Sequence, residues 1–179
     1  MEHNLIIEGI DRVGKTSLIA ALHGYDHIKM TAPESIPDTY YKYLGFFLKI
    51  NGWTRDIGRP RCFDRGHISE LVYGRLYRPK LYKDGVLDHW IARMEVEAVI
   101  SAERFGTRAT TIVYLEPCAE HLMLEDERPN ANRALELKTY EQMLKRSHFP
   151  IIRLTTQTES SWKTTEQIII ELKEQLNGC

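Results

Sequence analysis

No stretch of this 179-residue chain approaches the ~20 consecutive apolar residues that a membrane-spanning helix requires. Charge of one sign is also missing. With 24 Lys+Arg against 25 Asp+Glu the formal net charge is -1, which excludes a whole-protein electrostatic grip on nucleic acid or an anionic membrane. Any basic function must be local. Cysteine is scarce: Cys62, Cys118 and Cys179 form neither a CxxC pair nor an even framework, which suits a reducing compartment and gives no zinc ligand set. The histidines are scattered, with no HExxH and no HxH, so metal catalysis through imidazole is not expected. The opening residues Met1-Glu2-His3-Asn4 lack the charged-then-apolar pattern of a signal peptide, and the expected location is the cytoplasm.

Repeats, low-complexity tracts and Pro/Gly/Ser-rich linkers are absent as well, so residues 1–179 read as one domain. Apolar segments recur at spacings that fit strands alternating with helices, the pattern of a parallel sheet covered on both faces. Leu5-Ile6-Ile7 marks an opening strand, followed by a glycine loop and a helix over Lys15 to Leu22. The segment Tyr40 to Ile50 carries aromatics and leucines around its whole circumference, which predicts a helix buried on more than one side. A short strand is predicted at Arg61-Cys62-Phe63, then a helix from Ile68 to Tyr77. Leu87, Trp90, Ile91, Met94 and Ala98 follow helical spacing, and that helix should run to about Phe105. The β-branched run from Thr110 to Leu115 is the clearest strand. A helix over Ala134 to Arg146, a strand at Ile151 to Leu154 and a last helix from about Trp162 to Leu176 complete the reading.

Gly9-Ile10-Asp11-Arg12-Val13-Gly14-Lys15-Thr16 satisfies G-x-x-x-x-G-K-[ST] directly after the opening strand and directly before a helix. Each residue type has a reason. Glycines let consecutive backbone N–H groups turn inward around a phosphate, where the helix N-terminus adds favourable potential. Lys15 supplies a mobile point charge between β- and γ-phosphates, and the Thr16 hydroxyl is placed for Mg²⁺. Gly9, Asp11, Arg12, Val13, Gly14, Lys15, Thr16 and Ser17 are therefore the nucleotide-binding candidates. The motif by itself leaves kinases, switch GTPases and motor ATPases open. No N-K-x-D motif is present, and D-x-x-G occurs only within the loop itself at Asp11 to Gly14, not as a separate downstream motif, which disfavours a switch; size together with the isolated Asp64 points to a small-molecule kinase. Arg12, inside the loop, sets a guanidinium toward the γ-phosphate as an arginine finger supplied in cis.

The segment from Ile6 to Thr16 resembles the opening strand and loop of the thymidylate kinase family of nucleoside monophosphate kinases. In that version the catalytic arginine lies inside the loop. Asp64-Arg65-Gly66-His67-Ile68-Ser69-Glu70-Leu71-Val72-Tyr73 is similar to the same family's D-R-Y-x-x-S-x-x-x-Y signature, with Gly66 where the family carries tyrosine. The residues after Tyr73 also depart from the family's base-recognising sequence. The shortness and divergence resemble bacteriophage-encoded nucleotide kinases. The resemblance implies an α/β, three-layer P-loop kinase fold with a parallel sheet of about five strands and helices on both faces. It further implies ATP as donor, Mg²⁺ as cofactor, a deoxynucleoside monophosphate such as dTMP or a modified pyrimidine analogue as acceptor, and a homodimer. By the same resemblance Asp11 contacts the acceptor sugar, Arg12 the transferring phosphate and Arg65 the acceptor phosphate. Asp64, at a strand end opposite the loop, joins Thr16 as a metal candidate.

A closing lid is expected over Glu125 to Arg133, offering Arg128 and Arg133 as mobile cations and Arg128 as a catalytic candidate. The acceptor-binding set is Asp11, Phe46, Arg65, Ser69 and Tyr73. Phe46 and Phe47 are candidates to stack on a base and Arg55 or Arg59 to read its edge, although aromatics on a buried helix are usually core. Residues 55–83 hold eight basic side chains against three acids, with tyrosines interleaved, which suits anionic substrates and also resembles a single-strand binding face. Three alternatives thus stay open: a P-loop kinase acting on a hydroxymethylated base in DNA, a deoxynucleoside kinase, and a non-enzymatic nucleotide-binding regulatory module.

Overall fold

Five parallel strands in the order β2-β3-β1-β4-β5 form the centre of the computed structural model, which describes residues 3–50, 58–82, 85–118, 132–158 and 161–177. The strands are β1 (Asn4–Glu8), β2 (Asp26–Lys29), β3 (Arg61–Asp64), β4 (Thr110–Glu116) and β5 (Ile151–Thr155). Among the described residues six α-helices connect and cover them: α1 (Lys15–Ala21), α2 (Ile36–Ile50), α3 (His67–Tyr77), α4 (Val86–Phe105), α5 (Arg133–Leu144) and α6 (Thr165–Asn177). Helix α1 packs with α6, α2 with α4, and α3 with α5, giving the three-layer α/β arrangement.

The central strands are apolar because both of their faces are covered. Leu5, Ile6 and Ile7 of β1 and Ile112, Val113 and Leu115 of β4 have no exposed surface. Strand β2, sequence Asp-His-Ile-Lys, is mostly exposed and was not predicted. It pairs on one side with β3 alone, so it needs no apolar pattern of its own. The order reverses at β1, which has β3 on one side and β4 on the other, with Ile7 opposite Asp64 and Glu8 opposite Tyr114. In an open parallel sheet the crevice outside the strands' carboxyl ends at such a reversal is the natural ligand site.

Two expectations are corrected. Helix α2 buries one face only: Tyr43, Phe46, Phe47 and Ile50 enter the core, while Tyr41 and Leu44 stay 75% and 40% exposed. The last helix begins at Thr165 and not near Trp162, because Thr164 and Gln167 close a reciprocal capping box. Trp162 instead pairs with Gln157 in an isolated antiparallel bridge. No helix among the described residues is long and apolar enough to cross a membrane.

Candidate functional site

The loop between β1 and α1 turns on two glycines. At Gly9, φ is 143°, and a Cβ would lie 2.9 Å from both the Leu115 carbonyl oxygen and Val13 Cγ1, so no larger residue fits. Gly14 caps α1 in the left-handed region. The chain thereby delivers Lys15 to the first position of α1. Its Nζ donates to the carbonyl oxygens of Gly9, at 2.9 Å, and Ile10, at 2.5 Å. Lys15 is 7% exposed. Burial, and then the neighbouring Arg65, hold its ammonium down to about 8.

Two non-glycine residues of the described chain have positive φ, and both are arginines of the predicted site: Arg12 at 67° and Arg65 at 66°. Such backbone is costly for a side-chain-bearing residue and persists only when its surroundings impose it. Arg65 directly follows β3, its N–H donating to the Ile7 carbonyl at 3.0 Å, which fixes it beside the loop. Its guanidinium forms an ion pair with Asp11 and lies 4.9 Å from the centre of the Tyr73 ring.

Asp11, Arg12, Gly14, Lys15 and Thr16 from the loop share one cleft of about 630 Å³ with Asp64, Arg65, Ser69 and Tyr73. The residues of the two sequence motifs are therefore brought to a single crevice. Val13 is a core side chain, leaving its backbone to the loop, and Ser17 faces a neighbouring cavity instead. No cluster of three or more His, Cys, Asp or Glu able to cage a metal occurs among the described residues. Thr16 and Asp64 nevertheless both line the cleft, and a hydroxyl plus a carboxylate fit an ion that takes most of its oxygens from phosphate and water.

Several placements differ from expectation. Phe46 is 2% exposed and lies in the core, its ring 4.7 Å from Phe63 and 5.1 Å from Phe47. Neither Phe46 nor Phe47 lines the cleft, because their face of α2 is spent on packing against the sheet. Arg133 is buried, donating to the Asp11 carbonyl at 3.3 Å, and so is not an exposed mobile cation. Arg59 is exposed outside the cleft, where its carbonyl accepts from Arg108. Arg128, Arg55 and most of the expected lid lie outside the described residues.

Sequence reasoning missed Glu8. It has no exposed surface, and its Oε1 accepts from the N–H groups of Gly66, at 2.9 Å, and Ser69, at 3.2 Å. Its Oε2 accepts from the Ser69 hydroxyl, which also meets the Tyr140 hydroxyl at 2.8 Å; Tyr140 in turn donates to the Gly9 carbonyl at 3.2 Å. A single carboxylate thus ties the start of α3 to the phosphate loop. Burial raises its pKa, against the opposing pull of Ser69 and His67. The glycine at position 66 follows, since a Cβ there would lie 2.6 Å from Ile6 Cγ2 and 3.3 Å from Glu8 Oε1. The signal available in the sequence was an acid at the end of an otherwise apolar strand. Lys29, Met30, Tyr43, Glu70 and Arg78 also line the cleft and were not named as site residues.

Beside the loop lies a second cavity of about 320 Å³, bounded by Gly14, Ser17, Thr156, Trp162 and Lys163 among others.

Solved structures share this fold. The YorR protein from Bacillus subtilis, in complex with phosphorylated GDP, is similar with a TM-score of 0.62 and 17% identity over 97% of each chain. Deoxyadenosine kinase from M. mycoides, with the products dCMP and a flexible dCDP bound, is similar with a TM-score of 0.52 and 13% identity over 98% of each chain. At these identities the likeness is one of fold. Neither a family model nor a curated protein matches the chain.

Proposed function

We propose that this protein transfers the γ-phosphate of ATP, with Mg²⁺, to the phosphate of a deoxynucleoside monophosphate. The thymidylate kinase-like motifs favour dTMP or a modified pyrimidine analogue as acceptor. The observation that carries this reading is the position of Arg65: a second cation, half-buried, paired with Asp11 and facing the same cleft as Lys15. An acceptor phosphate would give that guanidinium an anion to bind in exchange for Asp11, which an acceptor without a phosphate would not.

In this reading the loop amides and Lys15 hold the β- and γ-phosphates, and Arg12 stands beside the migrating phosphoryl. Thr16 and Asp64 would hold the magnesium ion, which when bound neutralises the donor's phosphate oxygens. Arg65 leaves Asp11 for the acceptor phosphate, freeing the Asp11 carboxylate to accept from the sugar hydroxyl. An acceptor phosphate oxygen then forms its bond to the γ-phosphorus as the bond to the β-bridging oxygen breaks, giving a diphosphate and ADP. Trp162 and Thr156, in the cavity beyond Gly14, are positioned for the donor base.

A deoxynucleoside acceptor is the second reading, favoured by the fold likeness to deoxyadenosine kinase. An ADP-release screen over deoxynucleosides, their monophosphates and hydroxymethylated DNA separates the two readings and tests the polymer as well. Release with monophosphates alone supports the proposal, and release with nucleosides or DNA alone overturns it. The Lys15→Ala variant should fold and show no turnover; unchanged turnover would also overturn the assignment.

A further inference from the structure

The left-handed backbone of Arg65, at φ 66°, is costly and has to be imposed by the residues around it. On the strand side its N–H is bonded to the Ile7 carbonyl. On the helix side Glu8 holds the Gly66 N–H, and the Gly66 carbonyl accepts from the Tyr43 hydroxyl at 3.3 Å. The next residue, His67, opens α3 at a position that the D-R-Y-x-x-S-x-x-x-Y signature leaves open. Its side chain is fully buried and pairs through Nε2 with Oε1 of Glu95 on α4. Glu95 is buried as well, and it also accepts from Ser147 Oγ at 2.8 Å and from the His148 N–H at 2.7 Å. One carboxylate thereby joins α4, the turn between α5 and β5, and the first residue of α3.

We infer that His67 and Glu95 are a positioning pair that holds Arg65 in its left-handed backbone and so sets the cation that the acceptor phosphate meets. The inference rests on the proposed monophosphate acceptor and adds two residues that do not line the cleft; both border a separate small cavity between α3, α4 and α5. Burial raises the pKa of Glu95, but His67 and the bonds from His148 and Ser147 lower it by more, so the carboxyl lies below its ordinary range. An ionised carboxylate only accepts, and the His67 Nε2 therefore carries the proton and donates. The other ring nitrogen, Nδ1, has no hydrogen-bond partner among the described residues, which leaves Glu95 as the hold on the ring. Packing by itself does not call for this arrangement. The rings of Phe46, Phe47 and Phe149 lie 5.6, 5.4 and 5.9 Å from that of His67, and an apolar side chain would fill the same space without burying a charge. What the imidazole–carboxylate bond adds is a fixed direction. Only Gly66 separates His67 from Arg65, so a turn of His67 reaches the strained residue through two rigid peptide units.

The test compares the wild-type protein with His67→Phe, which keeps a ring and loses the donor, and His67→Gln, whose amide still donates toward Glu95. Steady-state kinetics, titration calorimetry with dTMP and with a non-hydrolysable ATP analogue, and a crystal structure of each protein supply the readouts. In His67→Phe, kcat/KM and affinity for dTMP should both fall about tenfold or more, the scale of a displaced binding group. Affinity for the ATP analogue should stay within about threefold, and the crystal structure should show Arg65 outside the left-handed region. His67→Gln should keep dTMP affinity within about threefold of wild type. If His67→Phe does not fold, Glu95→Gln, which leaves one carbonyl oxygen for three donors, should show the same split to a smaller extent. Equal losses for both nucleotides, unchanged dTMP affinity, or an Arg65 backbone that keeps its conformation in these variants would overturn the inference. If the wild-type protein binds no monophosphate, the proposed activity fails, and the crystal structures still decide the role of the pair.

Discussion

Arg65 and Asp11, fifty-four positions apart in the chain, form an ion pair across the cleft that joins the loop after β1 to the turn after β3. Each depends on the sheet reversal at β1 for its position, since Ile7 pairs with Asp64 and the Arg65 N–H bonds the Ile7 carbonyl. Replacing Arg65 by Ala should lower kcat/KM for a monophosphate acceptor by roughly a hundredfold or more, the scale of losing one aligned transition-state donor. ATP affinity should stay within about threefold, because the loop amides and Lys15 remain. Steady-state kinetics and ATP-binding calorimetry read the two effects separately, and a loss confined to ATP binding would refute the role.

Lys15 predicts a pH dependence. Burial, followed by Arg65, places its ammonium at about 8, against an ordinary value of 10.5. The charged form binds phosphate, so affinity for a non-hydrolysable ATP analogue should weaken as pH rises above about 8, approaching tenfold per pH unit for one linked proton. Lys15→Arg should be flat over the same range. The sign for stability is opposite. Between about 8 and 10.5 the unfolded chain holds the proton that the folded one has lost, so the ligand-free protein should gain stability with rising pH in that window. Urea midpoints across the window, with Lys15→Met as the flat control, check the effect.

Glu8 predicts a large stability loss on truncation. Glu8→Ala leaves the Gly66 N–H, the Ser69 N–H and the Ser69 hydroxyl without their acceptor, a cost of about 3 kcal/mol or more. Glu8→Gln keeps an acceptor oxygen and should lose less. Burial raises the folded pKa of Glu8, so the stability linked to its proton is present below about 4.5 and falls as pH climbs through the raised value. The Gln variant should lack that decline. Denaturant midpoints from pH 4 upward provide the measurement.

Phe46 predicts a change in stability without a change in substrate recognition. With 2% exposure and ring contacts to Phe47, Phe63 and Tyr43, Phe46→Ala should cost about 3–5 kcal/mol. KM for the acceptor should hardly move when assayed well below the melting temperature. A selective rise in that KM with unaltered stability would return Phe46 to the acceptor site.

What could be read in advance follows from where the structural information lies. The phosphate loop is local: two glycines, a lysine and a hydroxyl between an apolar strand and a helix describe its conformation without reference to the rest of the chain. The same holds for α4 and β4, whose periodicity or β-branching spans many residues. Strand β2 was not legible, because an exposed edge strand of four residues is defined by its partner and not by its own pattern. The start of α6 was legible in principle, since Thr164 and Gln167 carry the spacing of a capping box. Phe46 and Glu8 mark the opposite limits. The burial of an aromatic cannot tell a core from a ligand wall, and a lone acid in a strand does not announce the three donors awaiting it.

The sequence by itself determined the alternation of strands and helices, the phosphate loop and the Asp64-Arg65 motif, because each is encoded in residues adjacent in the chain. Tertiary structure alone decided that these motifs share a cleft, that Arg133 is buried against the loop, and that Glu70 and Arg78 line the same cleft. Those relationships are set by the strand order about β1 and by donors and acceptors meeting across distant segments, and no local pattern of residues carries that information.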